Sequence, residues 1–154
     1  MALAGKRSIL IAEDNPADVF LIRQALKHHD VDCDIRVIAD GQEVINFITS
    51  LEADGAAGWP DAVVLDMHLP KRTGDEVLNR LRASSWGRQT PAVMLSGSDS
   101  PRDREGAEVF HVHFFQKSSS LSEFFELGAV LKRLIEPDDR PEDTSLLHNS
   151  AQGA

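Results

Sequence analysis

Short runs of apolar residues alternate with longer amphipathic segments along the chain, and this alternation is the strongest constraint on its fold. The apolar runs predict strands at residues 8–12, 34–38, 62–65, 92–95 and 112–115. The amphipathic segments predict helices at residues 16–29, 42–51, 74–83, 101–109 and 121–135. Apolar strands that alternate with helices indicate a parallel sheet covered on both faces. We therefore predict a doubly wound, flavodoxin-like α/β fold with five βα units around a central five-stranded parallel sheet.

The extent of this pattern predicts one domain at residues 6–136. From Pro137 onward the chain is rich in Pro, Asp, Ser and Asn, which is typical of a flexible tail. Residues 137–154 are therefore predicted to be such a tail, and this segment is too short to be an output domain.

Composition narrows the possible partners and the location. A net charge of −9 argues against nucleic acid, whose binding requires clustered Lys and Arg. No run approaches the roughly 20 apolar residues that cross a bilayer, and no apolar stretch follows the N-terminal charges. The single cysteine, Cys33, cannot form an internal disulfide and suits a reducing compartment. We expect a cytoplasmic protein that binds neither nucleic acid nor membrane.

Polar side chains follow four of the five predicted strands at the point where each strand ends. Glu13 and Asp14 follow the first strand, Asp66 the third, Ser96 the fourth, and Lys117 comes shortly after the fifth. Ligands of doubly wound sheets bind beyond the carboxyl ends of the strands. Any single acid here is explained well as a helix cap, but four strand ends that carry this set together predict a site.

The chemistry of this set favours a cation and a phosphoryl group. Like charges about 4 Å apart repel by about 4 kcal/mol at a protein-like dielectric, so three carboxylates need a cation, a proton or strong partners. Carboxylate oxygens with incomplete coordination suit Mg²⁺ (or Mn²⁺). A lysine can neutralise one oxygen of a phosphoryl group on Asp66, and a serine hydroxyl can donate a hydrogen bond to another. The site provides the positioning and charge neutralisation that phosphoryl transfer requires.

The same runs resemble the receiver domains of two-component response regulators. The resemblance rests on residues 9–15 (ILIAEDN), 63–70 (VVLDMHLP) and 93–97 (VMLSG), on Lys117, and on Gly74. It covers about residues 6–136. It implies that a histidine kinase or a histidine phosphotransfer protein phosphorylates Asp66, and that the chain is a phosphoacceptor rather than an enzyme.

The resemblance also implies roles for individual residues. Asp14 and Asp66 would bind the cation directly, Glu13 would hold it through water, and the backbone carbonyl of His68 would be a further ligand. The switch pair would be Ser96, whose hydroxyl moves toward the phosphoryl group, and Phe114, whose ring rotates inward.

One subgroup of receivers is particularly similar. Residues 13–19 (EDNPADV) resemble the small response regulators of bacterial phytochromes. As in those regulators, we expect a stand-alone receiver with no DNA-binding or effector domain. Most receivers have proline after the lysine in a cis peptide bond, whereas this chain has Ser118. A cis bond before serine would cost about 2.5–4 kcal/mol, so the loop is expected to differ from the common form. The predicted donor is a bacteriophytochrome kinase, and the predicted output is protein contact or phosphorelay.

Three further residues are candidates for kinetic or partner roles. His68 and Ser98 correspond to positions that border the path of hydrolytic water and influence phosphoryl lifetime. An imidazole ordinarily titrates at about pH 6.5, so a role of His68 predicts a phosphoryl lifetime that depends on pH. The alternative is that His68 is a loop residue without kinetic effect. Phe20, on the polar face of the first helix, suits docking of the kinase, although a single exposed aromatic is normal.

The last helix is apolar on more than one side, which predicts a homodimer; extra burial within the monomer is the alternative. One apolar face is formed by Phe124, Leu127, Leu131 and Leu134, and Phe125, Ala129 and Val130 widen it.

Two other functions fit the acidic cluster. An aspartyl-phosphate hydrolase is one, but such enzymes typically carry a second Asp two residues after the nucleophile, where this chain has His68. A receiver-like interaction module that is never phosphorylated is the other.

Overall fold

The computed structural model describes residues 6–97, 101–110, 112–117 and 120–136. Within these residues, five strands and five helices alternate. The strands are β1 (Arg7–Ala12), β2 (Cys33–Ile38), β3 (Ala62–Asp66), β4 (Ala92–Ser96) and β5 (His113–Gln116). The helices are α1 (Pro16–His28), α2 (Gly41–Ala53), α3 (Gly74–Ala83), α4 (Pro101–Val109) and α5 (Leu121–Ile135). The predicted order of elements and the doubly wound α/β fold are confirmed.

The strands form one parallel sheet in the order β2-β1-β3-β4-β5. The chain moves outward in one direction from β1 to β2 and in the other from β3 to β5. Because all strands are parallel, their carboxyl ends lie at one edge of the sheet. The reversal of direction between β1 and β3 opens a crevice at that edge.

The central strands are apolar because both faces of the sheet are covered. All five residues of β3 and of β4 are buried. Side chains from α1 and α5 pack on one face, and side chains from α2, α3 and α4 pack on the other. A fully buried Leu or Ile contributes about 1.5–3 kcal/mol, so these two layers supply most of the stabilisation.

Helix α5 packs closely on α1. A Cβ at Gly128 would lie 2.6 Å from the carbonyl carbon of Ala25, so glycine permits the contact. His29 Nε2 lies 2.9 Å from the Phe125 carbonyl oxygen, and the His28 ring stacks on the Phe125 ring at 4.4 Å. Part of the apolar width of α5 is therefore buried within the monomer.

The two tryptophans meet at the opposite edge of the sheet, before the amino ends of β3 and β4. The rings of Trp59 and Trp86 lie 6.2 Å apart, and Trp59 Nε1 donates a hydrogen bond to Thr90 Oγ1 at 2.8 Å. Among the described helices, none has the length and apolar character needed to span a membrane.

Candidate functional site

The carboxyl edge of the sheet brings together the side chains that follow the strands. Asp66 and Ser96 are the last residues of β3 and β4, while Glu13 and Lys117 come directly after β1 and β5. Backbone hydrogen bonds continue beyond the strands: Glu13 N donates to Ile38 O at 3.1 Å, and Lys117 N donates to Ser96 O at 2.7 Å. The bonds fix the direction in which these side chains leave the sheet.

Three carboxylates form one cluster at this edge. Glu13, Asp14 and Asp66 each offer an oxygen, and these oxygens all lie within 4.8 Å of one another. Glu13 and Asp66 are buried and Asp14 is exposed. Carboxylate oxygens with one side open to solvent fit a divalent cation that keeps part of its water shell. It is the only group of three or more potential metal ligands among the residues that the structure describes.

Lys117 supplies the positive charge of the site. Its Nζ lies 2.9 Å from Glu13 Oε1, 2.8 Å from Asp18 Oδ2 and 3.3 Å from Asp66 Oδ2. Burial lowers the pKa of Lys117, but hydrogen bonds to Asp18 and Glu13 and the charge of Asp66 outweigh burial and raise it. The ammonium group is therefore charged at neutral pH.

The surroundings of Glu13 disfavour the charged form of its carboxyl group. Burial raises the pKa of Glu13 to about 7, and its hydrogen bond to Asp66 adds to the rise. Lys117 and the Asn15 amide, which donates to Glu13 Oε2 at 3.1 Å, oppose the rise. A nearby cation would lower the free-energy cost of burying these like charges side by side.

The loop after Asp66 is held against the start of α3. Gly74 N donates to Met67 O at 2.9 Å, and a Cβ at Gly74 would lie 2.6 Å from Asp66 O and 2.7 Å from Met67 Cα. Only glycine lets the helix approach this closely. The backbone N–H of His68 donates to Asp66 Oδ1 at 3.0 Å and helps to orient the carboxylate.

Ser96 is engaged by a residue that sequence reasoning missed. Its hydroxyl donates a hydrogen bond to Asp103 Oδ2 of α4 at 2.7 Å. His68 Nε2 lies 3.4 Å from the same oxygen, although most of the His68 side chain is exposed. Asp103 is 7% exposed, which is unusual for a carboxylate in a polar helix.

The other predicted site residues have different surroundings. The half-buried ring of Phe114 lies below the guanidinium of Arg104, 4.7 Å from the ring centroid to Cζ. Phe20 is 59% exposed, as its place on the polar face of α1 predicts. Ser98, Ser118 and the predicted tail at 137–154 lie outside the described residues.

Comparison with protein families matches residues 9–127 to the response regulator receiver domain. The chain belongs to the response regulator receiver family. As a receiver, it has the architecture of its structural neighbours, and its acidic pocket is consistent with aspartate phosphorylation and divalent-metal binding. The predicted family and fold class are confirmed.

The receiver is related to phytochrome response regulators. It is 28% identical over 120 residues to the response regulator Rcp1 of Synechocystis sp., covering 77% of this chain and 82% of that protein. It is 34% identical over 107 residues to the probable methanogenesis regulatory protein FilR2 of Methanothrix harundinacea, covering 70% of this chain and 68% of that protein.

Solved structures show the same relationship. The phosphorylated cyanobacterial phytochrome response regulator RcpA matches with a TM-score of 0.74 and 30% identity, covering 85% of this receiver and 94% of that chain. The Mn²⁺-bound form of Rcp1 matches with a TM-score of 0.74 and 27% identity, covering 88% and 99%. The predicted similarity to phytochrome response regulators is confirmed.

Proposed function

We propose that this receiver accepts a phosphoryl group on Asp66 with the help of Mg²⁺ or Mn²⁺, and that Glu13, Asp14, Asp66 and the His68 carbonyl hold the cation. The observation that carries the proposal is the placement of Lys117. Its Nζ lies 3.3 Å from Asp66 Oδ2 at the edge of the three-carboxylate cluster. An anionic group on Asp66 would find a positive charge already in place.

Each residue of the site has a separate role in the proposed transfer. An oxygen of Asp66 forms a bond to the donor phosphorus while the P–N bond of a phosphohistidine breaks, and the leaving imidazole takes up a proton from solvent. Lys117 neutralises a phosphoryl oxygen as negative charge moves into the site. The Ser96 hydroxyl donates to another oxygen. The cation, when bound, supplies further neutralisation of the phosphoryl charge. The chain is thus a stoichiometric phosphoacceptor that assists its own transfer and dephosphorylation.

The proposed donor is a histidine kinase of the phytochrome type or a histidine phosphotransfer protein. The similarity to RcpA and Rcp1 supports this donor. The exposed ring of Phe20, on the helix that supplies Asp18 to the site, is the proposed kinase contact. We place the reaction in the cytoplasm and propose that the signal leaves by protein contact or phosphorelay.

Phosphorylation by a small donor tests the proposed acceptor. With radiolabelled acetyl phosphate and Mg²⁺, the wild type is expected to incorporate label, and Asp66→Asn is expected to lose it. Asp54→Asn is a matched control, because this exposed carboxylate lies at the end of α2, about 20 Å of helix away from the carboxyl edge. Equal labelling of Asp66→Asn and wild type would refute the proposal. Phosphate release without any accumulation of labelled protein would indicate the hydrolase, and a wild type that neither takes up label nor releases phosphate would indicate an interaction module.

The donor class needs a separate measurement. Transfer rates from a panel of phosphorylated histidine kinases, including a bacteriophytochrome, are expected to be highest for the bacteriophytochrome. Phe20→Ala is expected to slow transfer from that kinase while labelling by acetyl phosphate is unchanged. If Phe20→Ala leaves the transfer rate from the kinase unchanged, Phe20 is not part of the kinase contact.

A further inference from the structure

We propose that Asp103 of α4 is a positioning residue for Ser96: it holds the hydroxyl proton in the unphosphorylated state, and it must release this proton before Ser96 can serve the phosphoryl group. The inference rests on the proposed phosphorylation of Asp66. It adds Asp103 of α4 to the residues that respond to phosphorylation, and it links the packing of α4 directly to the phosphoryl group.

The first step is the hydrogen-bonding capacity of serine. A serine hydroxyl has one proton to donate. In this structure Ser96 donates it to Asp103 Oδ2 at 2.7 Å. Phosphoryl oxygens and an ionised carboxylate are both acceptors, so they compete for the same proton. Binding of Ser96 to a phosphoryl oxygen therefore breaks its bond to Asp103.

The second step is the cost of that break for α4. Asp103 and Ala107 are the only buried residues among the nine of this helix. A buried carboxylate that loses a donor is unfavourable and moves toward water or other donors. Because α4 has so few buried side chains, a change at Asp103 weakens a large share of the contacts that hold the helix against the sheet.

The third step is a contact made by the neighbouring residue. Arg104 lies over the ring of Phe114, the second member of the predicted switch pair. Consecutive residues of α4 thus touch both Ser96 and Phe114. A shift of α4 that begins at Asp103 also changes the contact that covers Phe114, so the two switch residues are linked through the helix.

Binding of beryllofluoride, an analogue of the phosphoryl group, provides the test. Titration calorimetry with Mg²⁺ present is expected to show Asp103→Ala binding the analogue about five- to tenfold more tightly than wild type, the size of one net hydrogen bond. Asp103→Asn retains an oxygen that accepts from Ser96 and is expected to fall between the two. Thermal melting of both variants checks that the fold is intact, and Asp103→Asn keeps the test valid if alanine destabilises α4.

A double-mutant cycle with Ser96→Ala separates positioning from a merely structural role. If Asp103 acts through the hydroxyl, Asp103→Ala changes analogue affinity in the wild-type background and leaves it unchanged in the Ser96→Ala background. An equal change in both backgrounds, or no change in either, overturns the inference while wild-type binding leaves the proposed function standing. Wild type that fails to bind the analogue would overturn both.

Hydrogen exchange of α4 gives a readout that affinity alone does not. The analogue is expected to speed amide exchange across residues 101–109 in wild type. Asp103→Ala is expected to show the same faster exchange in the absence of the analogue. Unchanged exchange of these residues in both experiments would also contradict the inference.

Discussion

Lys117 supplies one positive charge that three carboxylates share at the carboxyl edge. Its ammonium group lies within 3.3 Å of oxygens from Glu13, Asp18 and Asp66. Opposite unit charges about 4 Å apart attract by about 4 kcal/mol at an effective dielectric of about 20, an attraction that burial partly offsets. A phosphoryl group on Asp66 would therefore compete with Glu13 and Asp18 for a lysine that is already shared. Asp18 lies in the first turn of α1, where an acid is favourable whether or not a site is nearby, so its sequence position does not indicate this contact.

Gly74 lies against the backbone of Asp66, the proposed acceptor. We predict that Gly74→Ala lowers the free energy of unfolding by about 1–3 kcal/mol, because the added Cβ meets backbone atoms of Asp66 and Met67 that cannot move aside cheaply. Labelling by acetyl phosphate is expected to slow as well, since the Asp66 backbone must shift. Urea unfolding and initial labelling rates measure the two effects.

Gly97→Ala is the matched control for that experiment. A Cβ at this position has nothing within 4 Å, so its addition is expected to change the free energy of unfolding by less than about 0.5 kcal/mol. Equal losses for the two glycine variants would show that the close approach of α3 does not matter.

At the scale of elements, α3 begins with a reciprocal pair of hydrogen bonds. Thr73 Oγ1 accepts from Glu76 N at 3.4 Å, and Glu76 Oε1 accepts from Thr73 N at 3.1 Å. We predict that Thr73→Ala costs about 1 kcal/mol of unfolding free energy, measured by urea denaturation. Ser50→Ala, a hydroxyl deletion on the exposed side of α2, is expected to be neutral or slightly stabilising; a larger loss there than at Thr73 would contradict the assignment.

The same pair gives a pH dependence. The Thr73 amide, followed by Arg72, lowers the pKa of Glu76, so its contribution is present above the ordinary glutamate pKa of about 4.3 and disappears as the pH falls through the lower folded-state value. Melting curves of wild type and Glu76→Gln should therefore converge between about pH 6 and pH 3. Glu126→Gln, at an exposed position of α5, serves as the control. A difference that stays constant over this range would contradict this contribution of the Glu76 charge.

The elements were predictable because each depends on local pattern. Apolar runs of strand length and amphipathic stripes located all ten, and α3, α4 and α5 have the predicted bounds. Helix α2 extends beyond its prediction because Asp40 caps it and Gly41 enters the first turn. Strand β5 begins and ends one residue later than predicted, because the amide of Val112 is bound to Ala107 O at the end of α4.

The site was predictable to the extent that it lies at strand ends. Parallel strands bring their last residues to one edge, so the sequence positions of Asp66, Ser96 and Lys117 were sufficient. Asp103 was not predictable by this route, because it lies on a polar helix whose approach to Ser96 depends on how α4 packs. The roles of His68 and Ser98 in phosphoryl lifetime stay predictions.

At the scale of the whole molecule, the apolar width of α5 bears on self-association. Phe125 packs on His28, and Val130 and Leu134 pack against the core layer shared with α1, whereas Leu121 remains 51% exposed. We retain the prediction of a homodimer. Light scattering over a range of concentrations should show the mass rising from 16.9 kDa toward twice that value. A mass that stays at the monomer value throughout would leave burial within the monomer as the explanation.

The tryptophan pair has a practical consequence for such measurements. The chain has two tryptophans and no tyrosine, and both indoles lie together at the amino ends of β3 and β4. Five residues of strand, about 16 Å, separate that edge from Asp66. Intrinsic fluorescence is consequently a built-in optical reporter of denaturation, and chemistry at the opposite rim has to be followed through a dye, an isotope or heat.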